Sequence, residues 1–238
     1  MNAPEVKRYI GTFHKSGTAL FETILVSAKR AGLLTPWMLH DGPPPEHWDV
    51  AFDYQTKSLL PTLDLDPARA RYVICLRDPR DIIVSAAYYH SKADEKWLLT
   101  PDPKFGGMTY QEKINSLSTL TDRFLFEMEN TSYWQIQAML RVPLDAPSVM
   151  VTRLETLVQD YDLWEFHRIF AFLRFHPELQ LDLMRFAYAN SLFSGRIAPT
   201  VHRRSGKPAQ YLTEFNERAM ARFTEVFGDA AVKLGYPA

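Results

Sequence analysis

The sequence predicts a single-domain α/β protein, residues 1–238, with a central, mostly parallel β-sheet flanked by helices and a P-loop-like phosphate loop. Short strand-like apolar runs around Tyr9, Val50, Val73 and Val149 alternate with longer helical stretches, the order produced when crossover helices join parallel strands. The 238 residues are 46% hydrophobic and 13% aromatic, enough to bury one sizeable core. Internal repeats and low-complexity tracts are absent, which removes solenoids and propellers from consideration.

The elements follow in chain order. Arg8-Tyr9-Ile10-Gly11 reads as a strand ending at a loop, and Gly17 to Ala31 as a helix with Leu20, Ile24, Leu25 and Ala28 on one face. Asp41-Gly42-Pro43-Pro44-Pro45 marks a stiff turn before a second strand, Trp48 to Asp53. Tyr72 to Leu76 is a strand that runs into Arg77-Asp78-Pro79-Arg80, where the proline suits a helical first turn because its missing N–H has no intrahelical role. The helix continues from Asp81 to His90.

Lys92 to Gly107 has no periodicity and is rich in Pro, Gly, Asp and Lys, so it reads as a long surface loop or lid. Tyr110 to Leu140 reads as one or two helices, Ser148 to Thr152 as a further strand, and the sequence to Asn190 as predominantly helical. Arg196 to Gln210 is a basic loop, and Glu214 to Leu234 a final helix. Right-handed crossovers are expected.

Charge and cysteine content limit the function classes. Lys and Arg total 27 against 28 Asp and Glu, a net charge of −1, which is not the footprint of a non-specific nucleic-acid binder. Any anion site must be local. The single cysteine, Cys75, lies inside an apolar strand, so a disulfide framework within one chain is impossible and a reducing, cytoplasmic setting is expected. The N-terminus enters a strand without the apolar stretch of a signal peptide, and no window reaches the roughly 18 apolar residues of a spanning helix. No membrane partner is expected; a homodimer is left open.

Three segments carry anion chemistry. Gly11-Thr12-Phe13-His14-Lys15-Ser16-Gly17-Thr18 lies between a strand and a helix, where the N–H groups of the first turn form an anion cradle; Lys15 adds charge, and Ser16 and Thr18 add hydroxyls. A nucleoside triphosphate loop would place lysine directly after the second glycine, and the order here is Lys-Ser-Gly-Thr. Arg77 to Ser85 begins at a strand end, where ligands of open α/β sheets collect, and Arg77 offers a planar fork for phosphate. His202-Arg203-Arg204-Ser205-Gly206-Lys207 is a basic loop able to close on an anion. Each has a plainer reading: an ordinary helix start, a surface ion pair, a solvated charge run.

Taken together and in this order, the three segments resemble the sulfotransferases that use 3′-phosphoadenosine 5′-phosphosulfate (PAPS). Lys15-Ser16-Gly17-Thr18, with Ala19 after it, is similar to the family's 5′-phosphosulfate loop, although His14 and Leu20 stand where proline and tryptophan are usual. Arg77 to Ser85 resembles its 3′-phosphate motif, and Tyr88-Tyr89-His90 continues the likeness. Arg204-Ser205-Gly206 resembles its Arg-Lys-Gly loop, with serine in place of lysine, Tyr211 at the tryptophan position and Thr213 to Tyr236 like its C-terminal helix. Val149 to Leu157 resembles the strand and segment that help hold adenine, with Leu154 at the tyrosine position. Asn190-Ser191-Leu192-Phe193 resembles the segment with an adenine-stacking aromatic, displaced by one.

The resemblance implies transfer of a sulfuryl group from PAPS to a hydroxyl or amine, with release of 3′-phosphoadenosine 5′-phosphate (PAP) and without an obligatory metal. Lys15 would stabilise charge on the leaving oxygen, with Ser85 alongside. Ser16, Gly17, Thr18 and Ala19 would hold the 5′-phosphate. Arg77, Ser85, Arg203, Arg204, Ser205 and Gly206 would hold the 3′-phosphate, with Ser191 near the nucleotide. The family's strand histidine is absent: Phe52-Asp53-Tyr54-Gln55 stands there, which makes Asp53 the first candidate base, its pKa raised by burial, and His47 and His90 the runners-up.

Phe13, His47, Phe52, Tyr54, Tyr88 and Tyr89 are candidate pocket walls and imply a small apolar or aromatic acceptor rather than a polyanionic glycan. Two other readings stand beside this one. They are a nucleotide or small-molecule kinase and a non-catalytic PAP-binding protein of the same fold.

Overall fold

The computed structural model describes residues 6–56, 60–195 and 206–238. Five strands are formed among them: β1 (Lys7–Thr12), β2 (Pro36–Met38), β3 (Val50–Asp53), β4 (Ala70–Leu76) and β5 (Val149–Arg153). They make one sheet of order β2-β3-β1-β4-β5, parallel at every pairing. From Val73 to Leu76 every residue of β4 is buried, the continuous apolar pattern of a strand inside a parallel sheet rather than the alternation of a half-exposed one. The α/β class with a parallel sheet is as expected.

β2 was not legible as a strand. It is three residues long and starts at a proline, which is tolerated here because β2 is an edge strand.

The helices are α1 (Thr18–Arg30), α2 (Pro79–His90), α3 (Tyr110–Asn115), α4 (Leu120–Glu129), α5 (Thr131–Met139), α6 (Leu154–Leu157), α7 (Trp164–Phe172), α8 (Pro177–Ala189), α9 (Tyr211–Glu214), α10 (Glu217–Phe227) and α11 (Ala230–Lys233). The chain divides into two compact units, Met1–Arg77 with Arg141–Ala198, and Asp78–Leu140 with Pro199–Ala238.

The first unit contains the sheet. Ile10, Phe52 and Val73 are register neighbours on one face, and α1, α7 and α8 cover them through Phe21, Ile24, Leu25, Phe166, Phe170 and Leu183. The apolar stripe read on α1 is this buried face, with Phe21 added and Leu20 at its margin.

The second unit is helical. Asp78 caps α2 by accepting from the Arg80 N–H, with Pro79 at the first helical position, as the Asp-Pro pair predicts. The stretch Lys92 to Gly107 is less irregular than expected. Lys96–Leu99 and Pro103–Phe105 form 3-10 turns, Leu98 and Phe105 are buried, and Glu95 accepts from both Tyr89 Oη and Trp97 Nε1. The single C-terminal helix expected from Glu214 to Leu234 is broken into α9, α10 and α11. Asn216 caps a new start by accepting from the Ala219 N–H, and Gly228 ends α10 at a positive φ of 57°.

Candidate anion-binding site

Connections on either side of β1 run in opposite directions along the sheet: β3 lies on one flank and β4 on the other. The loop leaving β1 therefore emerges at a topological switch point, where open parallel sheets bind ligands beyond the carboxyl ends of their strands. That loop is Phe13 to Gly17. Its geometry is unusual for L-residues: Lys15 has a φ of 64° and Gly17 a φ of 100°. Two left-handed residues so close together reverse the chain within one turn and start α1 immediately after β1.

The loop is closed from inside. Ser16 is fully buried; its Oγ accepts from the Phe13 N–H at 2.6 Å and donates to the Phe13 carbonyl at 2.8 Å. This corrects the expectation that the Ser16 hydroxyl faces phosphate, because both its bonds serve the turn. Thr18 Oγ1 lies 2.9 Å from Thr12 Oγ1, tying the helix start to the strand end. Thr56 Oγ1 donates to the Thr12 carbonyl at 2.9 Å, and it approaches because Gly11 has no Cβ: one built there would sit 2.5 Å from that oxygen. Sequence reasoning missed Thr12 and Thr56; a lone hydroxyl gives no signal until its partner is known.

Gly17 packs over two core residues. A Cβ at this position would come within 3.3 Å of Leu154 Cδ1 and 3.4 Å of Cys75 Sγ. Leu154 therefore belongs beneath the loop, among the partly buried side chains of the core. Burial pushes the Cys75 thiol well up, with Glu155 and Glu165 adding to it and Arg77 opposing.

The cradle itself follows from helix geometry. The Thr18 and Ala19 N–H groups that open α1 have no carbonyl one turn before them within the helix, and the helix dipole favours negative charge in front of them; the Leu20 N–H is already given to the Gly17 carbonyl at 3.0 Å. No acidic residue lies in the first turn, and Lys29 and Arg30 occupy the last, the polarity that complements the dipole. Arg77, nine-tenths buried at the end of β4, donates from Nη1 to the Lys15 carbonyl at 3.0 Å. The structure thus brings Lys15 and Arg77 together, although 62 residues separate them. Arg153, the last residue of β5, is the register neighbour of Leu76 and adds a cation at the same edge of the sheet. A basic residue closing an apolar strand run was its only signal in the sequence.

Asp53 ends β3 and is the register neighbour of Gly11, beside the loop. It is buried, and its Oδ1 accepts from the Gln55 N–H at 2.8 Å. Tyr54 packs at the margin of the core with its ring edge-on to His40, centroids 4.8 Å apart.

Several other candidates are placed elsewhere. The His47 side chain is 92% exposed, its Nε2 3.9 Å from Oε1 of the equally exposed Glu46, so it is a surface residue and not a pocket base. His90 is 0% exposed, its Nδ1 2.7 Å from Glu127 Oε1, and Glu127 also accepts from Tyr110 Oη and Ser132 Oγ. It is the centre of a buried polar cluster in the second unit rather than a cleft base. Phe13 and Phe52 are fully buried, and Phe52 is part of the sheet core, so neither is a pocket wall. Ser191 is buried with its Oγ donating to the Tyr188 carbonyl at the end of α8, which is a helix-terminating role.

Tyr89 is buried and bound to Glu95. On α2 between Asp81 and His90, only Ser85 and Tyr88 are partly exposed, and Tyr88 Oη donates to Glu214 Oε2. Ala19 is partly exposed in the first turn of α1. Arg203, Arg204 and Ser205 lie outside the described residues; Gly206, at their described end, has a φ of 62°. Phe193 packs with Tyr161 and Tyr188, an aromatic group whose two tyrosines sequence reasoning did not single out. Among the described residues, no group of three His, Cys, Asp or Glu side chains is placed to hold a metal ion, and no helix is long and apolar enough to cross a membrane.

A five-stranded parallel sheet with a lysine-bearing strand-to-helix loop at its switch point defines a P-loop-like α/β class. Within that class, solved structures match this chain along nearly its full length. Mouse sulfotransferase SULT7A1 complexed with PAP matches at a TM-score of 0.53 and 15% identity, over 98% of this chain and 90% of that one. Retinol dehydratase in complex with androsterone and inactive cofactor PAP matches at 0.59 and 14%, over 96% and 82%. Retinol dehydratase in a complex with retinol and PAP matches at 0.57 and 13%, over the same shares. No protein-family model matches the chain, and no curated protein matches it in sequence. The likeness is one of fold, and this chain has the sulfotransferase fold.

Proposed function

We propose that this chain is a sulfotransferase that moves a sulfuryl group from PAPS to a hydroxyl or amine of a small apolar or aromatic acceptor and releases PAP. One observation carries the reading: the Arg77 guanidinium is bonded to the Lys15 carbonyl, so the first two anion motifs meet at one loop on the sulfotransferase fold. The donor chemistry of that loop fits a polyanion. From Gly11 to Leu20 there is no carboxylate, while Lys15 and the α1 first-turn N–H groups supply positive potential.

In this reading the 5′-phosphate and sulfuryl group lie against the N–H groups at Gly17, Thr18 and Ala19. Lys15 neutralises charge on the bridging oxygen as its bond to sulfur breaks. The acceptor oxygen forms the new bond to sulfur and gives its proton to Asp53, the residue opposite Gly11 in the sheet. The sequence resemblance assigns the 3′-phosphate to Arg77, Ser85 and the Arg203–Gly206 loop. Since His47 is on the surface and His90 is buried, a PAP-binding protein without transfer activity is the second reading.

Calorimetric titration of PAP into the native protein and into Lys15→Ala and Arg77→Ala tests the nucleotide site. Each substitution is expected to weaken PAP by about tenfold or more, the scale of one charge-assisted contact. Undiminished affinity in both would place the nucleotide elsewhere. PAPS offered with a broad panel of phenols, alcohols and amines then separates the two readings, since product formation excludes the non-catalytic one.

A further inference from the structure

Within the first unit, the amino-terminal ends of β1 and β4 hold two arginines side by side. Arg8 and Arg71 are register neighbours, and from Arg71 the strand β4 runs roughly 20 Å, at about 3.3 Å per residue, before it reaches Arg77. Both side chains turn to the carboxyl end of α7. Arg8 Nε donates to the Leu173 carbonyl at 2.8 Å and its Nη2 to the Arg174 carbonyl at 3.5 Å, while Arg71 Nη1 donates to the Phe172 carbonyl at 3.3 Å. Their guanidiniums lie over the Phe175 and Phe172 rings, 5.4 and 4.9 Å from the centroids.

The turn after α7 supplies a third cation. The Phe175 N–H is given to the Phe170 carbonyl and the Arg174 N–H to the Ala171 carbonyl, the paired bonds of a Schellman motif whose left-handed residue is Arg174, at a φ of 55°. Glycine takes this conformation without strain and arginine does not. The strain holds an exposed guanidinium beside two partly exposed ones. Burial, and then the Arg174 charge, push the Arg71 guanidinium below its ordinary range.

No carboxylate balances the three. Asp64 and Asp66 hold Arg69, Glu178 lies 4.0 Å from His176 Nδ1, and among the described residues none forms an ion pair with Arg8, Arg71 or Arg174. The α7 dipole sets about half a negative charge against three positive ones, so an excess of about two remains. Donors are in excess as well. A guanidinium has five N–H bonds; Arg8 commits two and Arg71 one, and Arg71 Nε is buried with no acceptor among the described residues.

We infer that Arg8, Arg71 and Arg174 form a second anion site, separate from the Lys15 loop, for a tetrahedral dianion: phosphate or sulfate, as the free ion or as a monoester. Two negative charges balance the cluster, and the oxygens take the N–H groups that the α7 carbonyls leave over. Bound there, the ion ties the turn between α7 and α8 to β1 and β4. The inference holds whether or not the chain transfers sulfuryl groups.

The test is an NMR titration of the full, isotope-labelled chain with inorganic phosphate, against sodium chloride of matched ionic strength. Saturable shifts are expected at the Leu173, Arg174 and Phe175 amides and at the Arg8 and Arg71 Nε–H resonances. Arg174→Gly keeps the left-handed turn, removes its strain and deletes one charge. It is expected to raise the melting temperature in phosphate-free buffer and yet weaken phosphate at these resonances about tenfold, and Arg71→Gln to weaken it by a similar factor. The Thr18 and Ala19 amides report on the Lys15 loop and are expected to respond identically in native protein and variants. Tighter binding of phenyl phosphate than of inorganic phosphate assigns the site to a monoester, and equal or weaker binding assigns it to the free ion. No saturation at residues 173–175, or saturation that both substitutions leave unaltered, would overturn the site.

Discussion

At Gly17 the backbone φ of 100° and the nearness of Leu154 and Cys75 act together. Gly17→Ala puts a Cβ into both constraints and should cost about 1–3 kcal/mol, the scale of one strained non-glycine residue, read as a shift in urea midpoint with unchanged slope. A wild-type midpoint in the variant would contradict the loop geometry. Cys75 offers a pH test at the same scale. Its folded thiol titrates above the unfolded value of about 8.5, so its contribution is fully present below that pH and is lost as pH rises beyond it. Stability should fall more steeply between pH 8 and 10 in the native protein than in Cys75→Ala, and the thiol should react with iodoacetamide at pH 8 only once the chain is denatured. Prompt reaction in the folded state would refute its burial.

At the scale of elements, α2 is the informative helix. Its N-terminal Asp78 is both cap and ion-pair partner: it accepts from the Arg80 backbone and holds the Arg80 guanidinium, with both side chains almost fully buried. Asp78→Ala removes the cap and leaves a buried cation without its carboxylate, so a loss of about 3 kcal/mol or more is expected in chemical denaturation. A loss under about 1 kcal/mol would mean that Pro237 and Tyr211 alone satisfy Arg80. The same helix explains why aromatic residues misled the pocket assignment. On a helix with most of its faces covered, Tyr89 and His90 are drawn inward and consumed by Glu95 and Glu127, whereas Ser85 and Tyr88 remain partly exposed.

At the scale of the whole molecule, the proposed function has a thermodynamic consequence. A ligand that binds only the folded chain stabilises it by about 2.7 kcal/mol at a hundredfold excess over Kd, roughly 5–10 °C in melting temperature for a protein of this size. PAP should produce such a shift and adenosine 5′-phosphate a smaller one. Equal shifts would remove the 3′-phosphate from the recognition.

The order of strands and helices, the parallel sheet, the loop between β1 and α1 and the capped start of α2 were all determined by the sequence, because each rests on local patterns of apolar period, glycine and proline. The short edge strand β2 and the breaks before and after α10 were not legible, since a three-residue strand has too few positions to show a period and the apolar pattern of the C-terminal stretch runs on through the breaks.

Which polar side chains face a ligand was decided by tertiary structure. Ser16 and Ser191 spend their hydroxyls on neighbouring carbonyls, His90 is buried against a glutamate 37 residues away, and Arg77 reaches a carbonyl 62 residues away. A side chain's donors are committed by whichever partner the fold delivers, and sequence spacing carries no record of partners that distant.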